Sequence, residues 1–187
     1  MGKTVLLLMD LQQGILDRVE AKSEYLEQIN KARNSARAAN VQIIYVTICF
    51  RLGHPETSHR NMSMARVASL GGFVEGDATI AISPTVAPLQ SDILVTKRRV
   101  SAFTGSDLEV VLRGLEAETL VLAGVATSGV VLSTVRQASD LDYRLTVLHD
   151  LCLGPDPEVH RVLVEKVFPR QTEITSLDEW VVRLDNK

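Results

Sequence analysis

The chain opens on Thr4-Val5-Leu6-Leu7-Leu8-Met9, an unbroken apolar run that stops at Asp10. A short run that is apolar at every position suits a strand buried on both faces of a parallel sheet. After a polar link, Tyr25, Ile29, Ala32, Ala36 and Ala39 recur at helical spacing, with Ser23 placed as the N-cap. Val41 to Cys49 is a second apolar strand, so the opening segment is β-α-β. The rhythm then breaks from Phe50 to Gln90. Pro55, Pro84, Pro88 and the Gly71-Gly72 pair mark a long irregular excursion, and loops of that length commonly cover sites.

Regular patterning resumes with the strand Asp92-Ile93-Leu94-Val95-Thr96, ending at Lys97. Ser106-Asp107-Leu108-Glu109 has the form of a capping box that opens a helix, and Gly114 stops it. Thr119 to Gly124 is the next strand and Ser128 to Leu141 the next helix, with Val131, Thr134, Val135, Ala138 and Leu141 on one face. A strand over Arg144 to His149 follows, then a helix from Pro157 to Phe168 that Pro169 ends. Glu173 to Thr175 adds a last strand, and Ser176-Leu177-Asp178-Glu179 caps a final helix. Strands alternating with helices predict a doubly wound, Rossmann-like α/β fold: a three-layer α/β/α sandwich around a mainly parallel sheet, in one domain over 1–187.

Composition narrows the class. The 187 residues are 45% hydrophobic and 23% charged with a formal net charge of -3, as in an ordinary globular protein. The densest basic run is Lys97-Arg98-Arg99, too short to track phosphates, so nucleic acid is not an expected partner. Apolar stretches fall short of the roughly 20 residues that span a bilayer, so no membrane is expected either. Met1 to Asp10 is too quickly charged for a signal peptide, and two cysteines make no disulfide framework. The expected location is cytoplasmic.

In an open parallel sheet, ligands bind outside the carboxyl ends of the strands. Asp10, Cys49, Lys97, the Gly124–Val130 turn and Asp150 all fall at predicted strand ends. Asp10 and Lys97 are an acid and a base on separate strands that can meet across the crevice, although either could equally be a solvated strand-end charge. Gly124-Val125-Ala126-Thr127-Ser128-Gly129-Val130 leads from strand to helix through small residues. The N–H groups that open such a helix can hold an oxyanion or a carboxylate, though plain β-α turns look similar.

These pieces carry a resemblance. Leu8-Met9-Asp10-Leu11-Gln12, the stretch Lys97 to Leu108, the Gly124–Arg136 turn and helix, and the tail from Asp150 to His160 are together similar to the isochorismatase-like hydrolase superfamily over nearly the whole chain. The resemblance implies a catalytic Asp10 and Lys97, a cis Val125–Ala126 peptide, and oxyanion donors at the N–H groups of Ala126 and Val130. It adds Gln12 and Phe103 to the binding residues, and it implies a homodimer or homotetramer with no cofactor. Many of those relatives carry a nucleophilic cysteine where this chain has Val130, and valine has no group that can attack. Cys49 and Cys152 are expected to be structural, and Ser128 and Thr127 poor substitutes for the thiol. The metal-binding relatives place an aspartate two residues before a histidine, but Leu52 stands there before His54, so His54 and His59 are expected as exposed loop histidines and no metal is expected. His149 and His160 are expected to be structural.

The expected function is therefore hydrolysis of a small molecule without a thiol. One such route is vinyl-ether hydrolysis of the isochorismate type, with Asp10 as the acid. For an acidic substrate Lys97 supplies one cation, and Arg51, Arg98 or Arg99 can supply another. The alternative is a catalytically inactive member that binds a small molecule or serves as an oligomeric scaffold.

Overall fold

The computed structural model describes residues 2–17, 19 and 22–186. Its centre is a six-stranded sheet of β1 (Lys3–Met9), β2 (Gln42–Ile48), β3 (Ile93–Lys97), β4 (Ala117–Val125), β5 (Arg144–Leu153) and β6 (Glu173–Thr175). The spatial order is β3-β2-β1-β4-β5-β6 and every pairing is parallel. The helices are α1 (Gln13–Leu16), α2 (Lys22–Ala38), α3 (Met62–Leu70), α4 (Leu108–Gly114), α5 (Leu132–Asp140), α6 (Pro157–Val162) and α7 (Leu177–Asp185).

The unbroken apolar runs are explained by the two cores. Val5, Leu7 and Met9 of β1 face Leu108, Leu112, Val135 and Ala138 of α4 and α5. Leu6 and Leu8 face Tyr25, Ile29 and Ala36 of α2 and Leu177, Trp180 and Leu184 of α7. Alternate residues of one strand thus enter opposite layers, and the α/β/α sandwich is as expected.

Several boundaries move. The helix expected to be capped by Ser23 already includes Lys22, so Ser23 lies inside it. The excursion contains a helix, α3, which Asn61 caps by accepting from Met64 N–H and which Gly71 ends at φ 72°. The Gly71-Gly72 pair therefore stops a helix. Ser106-Asp107-Leu108-Glu109 forms no capping box: Ser106 Oγ accepts from Leu108 N–H at 3.3 Å and donates to the Ala102 carbonyl. Ser176 and Glu179 do form one at α7. β5 runs on past His149 to Leu153, so Asp150 lies within the strand and not at its end. Its carboxylate accepts from Leu177 N–H at the start of α7, at 3.0 Å.

Candidate active site

The chain reverses its direction of winding between β1 and β4, which are neighbours in the sheet. That switch opens a crevice at the carboxyl ends of the strands. Asp10 follows β1 and the Ala126–Val131 turn follows β4, so both stand at the crevice floor. They come together because residue 124 is glycine. A Cβ there would lie 2.3 Å from the Met9 carbonyl oxygen, so a side chain would push β4 away just before Asp10. The Val125–Ala126 peptide is cis.

Lys97 reaches Asp10 from two strands away. β3 and β1 flank β2, about 10 Å apart, a gap that a long stem such as lysine can bridge. Lys97 Nζ lies 3.0 Å from Asp10 Oδ2 and donates to the Arg99 carbonyl at 3.1 Å. The side chains are 1% and 8% exposed. Asp10 Oδ1 is buried with no hydrogen-bond partner among the described residues. Burial pushes the Asp10 carboxyl above its usual range, and the charge and hydrogen bond of Lys97 pull against that rise without cancelling it.

The turn after β4 is a wide helical bend over Thr127–Val131, broken at Gly129 (φ -104°, ψ -105°). The Ala126 carbonyl accepts from Gly129 N–H at 3.0 Å and Val131 N–H at 3.3 Å. Val130 is 2% exposed and belongs to the apolar cluster of the α4–α5 layer. Its side chain ends in two methyls and offers no group that can attack.

Two expected binding residues are engaged elsewhere. Gln12 donates to the carbonyls of Ile48 (2.8 Å) and Ile80 (3.0 Å) and accepts from Ile48 N–H (2.8 Å). It clasps the excursion to β2, and its amide group has no donor left for a ligand. Phe103 packs into the core with its ring 6.1 Å from that of Tyr143, which precedes β5 at the far end of the sheet. Its segment is fastened to α5, since Ala102 N–H donates to Thr134 Oγ1 at 3.0 Å. His54, expected as an exposed loop histidine, is 7% exposed, with Nε2 2.9 Å from the Gly72 carbonyl and its ring 5.3 Å from that of Phe50. His59 is exposed.

Both cysteines are buried. Burial pushes the Cys152 thiol up to about 12, which keeps it protonated and inert. Among the described residues no group of three His, Cys, Asp or Glu side chains is placed to hold a metal ion. Of the three arginines beside the crevice, Arg51 and Arg98 pair with Glu56, and Arg98 also with Glu75. Arg99 donates only to backbone, the carbonyls of Arg98 and Glu56, at 2.6 Å each. Arg99 thus has no carboxylate partner among the described residues. Glu56, which sequence reasoning passed over, ties the excursion to β3 through these arginines. Thr127 and His160 form another unforeseen contact, at 2.9 Å.

The isochorismatase domain family matches residues 4–179. The chain is 30% identical over 180 residues to the isochorismatase family protein YwoC of Bacillus subtilis (strain 168), covering 96% of this chain and 93% of that protein. It is 30% identical over 179 residues to the ureidoacrylate amidohydrolase RutB of Stutzerimonas stutzeri (strain A1501), covering 84% and 72% of the two chains. A cysteine hydrolase structure from Pseudomonas syringae pv. phaseolicola 1448A shares the fold with a TM-score of 0.87 at 22% identity, over 98% of this chain and 93% of that one. The chain belongs to the isochorismatase family of hydrolases. No helix among the described residues is long and apolar enough to cross a membrane.

Proposed function

We propose that this hydrolase acts on a small acidic molecule without a covalent step, with Asp10 as general acid toward a vinyl ether of the isochorismate type. The observation that carries the reading is the half-satisfied carboxyl of Asp10. Oδ2 is held by Lys97, while Oδ1 is buried, without a partner among the described residues, and on a group whose pKa burial has raised. Such a carboxyl holds a proton more readily than an exposed one and has one oxygen from which to deliver it. The proton goes to the terminal alkene carbon, and positive charge develops on the ether-bearing carbon. Water adds there and returns a proton to the Asp10 carboxylate, and the hemiketal collapses to pyruvate and an alcohol. Arg99, which has no carboxylate partner among the described residues, supplies the cation for the substrate carboxylate.

Magnitudes favour this substrate class over an amide. General acid catalysis contributes about 10²–10⁴, and holding the substrate carboxylate so that the alkene lies beside the acid adds an orientation factor. Those factors suit a labile enol ether and fall short for an amide attacked by unactivated water. The ureidoacrylate amidohydrolase relative therefore supports the hydrolase class, and Val130 argues against carrying its substrate over. Self-association as a dimer or tetramer belongs to the same reading.

A second reading, an inactive binding member, draws on the near-complete burial of Asp10, Lys97 and Val130. One experiment separates the two. Purified protein should release pyruvate from isochorismate, and Asp10→Asn should abolish that release. Equal inactivity of both proteins across an ester, amide and enol-ether panel defeats the catalytic reading, and thermal stabilisation by a ligand without turnover supports the binding one.

A further inference from the structure

We infer that His160 is a positioning residue: its imidazole braces Thr127 and so holds in place the turn that carries Ala126 and Val130. The inference rests on the reading of that turn as the part of the hydrolytic site that holds an anionic group of the substrate. Thr127 is 1% exposed, and its hydroxyl meets His160 Nδ1 at 2.9 Å across 33 residues of sequence.

The turn needs a brace because its own ladder is interrupted. Gly129 departs from helical geometry, so the regular helix begins only at Leu132. An array of N–H groups holds a bound anion only when the donors are already aimed, so movement in this segment weakens the hold on the substrate. Support comes from two sides. On one, Leu153 of β5 pairs with Val125, and a Cβ at Gly154 would lie 3.8 Å from Thr127 N and Oγ1, so that backbone closes over the turn. On the other stands His160.

His160 is itself well anchored. Asp156 caps α6 by accepting from Glu158 N–H (2.9 Å) and Val159 N–H (3.1 Å), with Pro157 in the first turn. Arg161 pairs with Glu158 and Glu165 on the outer side of the same segment. Burial and then the neighbouring His149 lower the His160 pKa, which favours the neutral ring. A neutral imidazole has one donor and one acceptor, so Nδ1 and the Thr127 hydroxyl satisfy each other in either tautomer.

The test compares His160→Leu, which removes the contact, with His160→Asn, whose side-chain oxygen falls near the place of Nδ1. Amide hydrogen exchange over 126–131 reads the brace without any substrate, and pyruvate release from isochorismate reads its use. In His160→Leu, exchange in the turn should rise about tenfold while the sheet strands stay protected. Its KM should rise about tenfold with kcat less affected, since the N–H groups of the turn hold an anionic group of the substrate while the charge that develops in the reaction is positive. His160→Asn should restore most of both. The inference is overturned if exchange at the turn in His160→Leu matches wild type, if exchange rises equally throughout the sheet, or if His160→Asn is as impaired as His160→Leu. If wild type releases no pyruvate, the hydrolytic reading fails on that result, and the exchange data alone decide whether His160 holds the turn.

Discussion

Lys97 Nζ and Asp10 Oδ2 meet at 3.0 Å across an intervening strand, while the second Asp10 oxygen faces no partner among the described residues. An ion pair built for stability would satisfy both oxygens, because each lone pair taken out of water without a replacement costs free energy. Here Lys97 fixes one oxygen of the carboxyl, and the proposed function gives the other oxygen the proton that is delivered. Asp10 also sits at φ 59°, a backbone region that aspartate and asparagine visit more readily than most residues, which makes asparagine the least disruptive replacement.

The pair should behave as a coupled unit in stability measurements. Asp10→Asn leaves the Lys97 ammonium buried without its counter-charge and should cost ~3–5 kcal/mol. Lys97→Met should cost less, because Asp10 is already biased toward its neutral form by burial and can escape by binding a proton. The double variant should recover much of the loss, giving a coupling of about 1–3 kcal/mol in urea denaturation. Strict additivity of the two single changes would show that the charges do not depend on each other.

Restoring a thiol tests how much of the surrounding site is ready for covalent chemistry. Val130→Cys removes volume from a packed position and should cost only about 1 kcal/mol. The new thiol would be as buried as Cys49 and Cys152, but it would stand in the turn that opens α5, where helix N–H groups favour a thiolate. The variant should therefore hydrolyse a ureido or amide substrate that wild type leaves untouched, and iodoacetamide should label it and inactivate it. A variant that folds normally but shows neither labelling nor amide turnover would mean that the turn does not present a reactive thiol.

The layers and the principal pair were legible in the chain because they depend on local pattern. Val5 to Met9 are buried on both faces, and the unbroken apolar run says so directly. Asp10 and Lys97 end such runs, and strand ends point into the crevice of a doubly wound sheet. What escaped depends on partners distant in sequence. Gln12 stands beside Asp10 in a motif, yet its amide is taken up by Ile48 and Ile80, which no spacing rule foretells. Phe103 could face either the crevice or the core, and the hydrogen bond from Ala102 to Thr134 decides for the core. The α3 helix was hidden by its weak apolar face, of which only Met64 is buried. Its Asn61 cap and Gly71 stop were the available signals. Thr127 and His160 are tied by a tertiary contact between a turn and a helix, invisible until both are placed.

That contact also predicts a pH dependence of stability. Burial and the nearby His149 hold the His160 pKa below the ordinary histidine value of about 6.5 in the folded protein. The unfolded chain therefore binds the proton more readily than the folded one, and stability rises with pH where the two differ. The contribution is present above the unfolded value and is lost as pH falls through about 6.5 toward the folded pKa. The ring meets Thr127 on the turn and feels His149 on β5, while Asp156, Glu158 and Arg161 are its ionisable neighbours along its own helix. Glu158 is held by Arg161, and its lowered pKa places its own titration in a more acidic range. Melting temperature measured from about pH 5 to pH 7 should rise in wild type, and His160→Asn, which has no proton to bind, should flatten that rise. An equally steep rise in His160→Asn would assign the dependence to His149 or to another group and would remove His160 from the account of acid sensitivity.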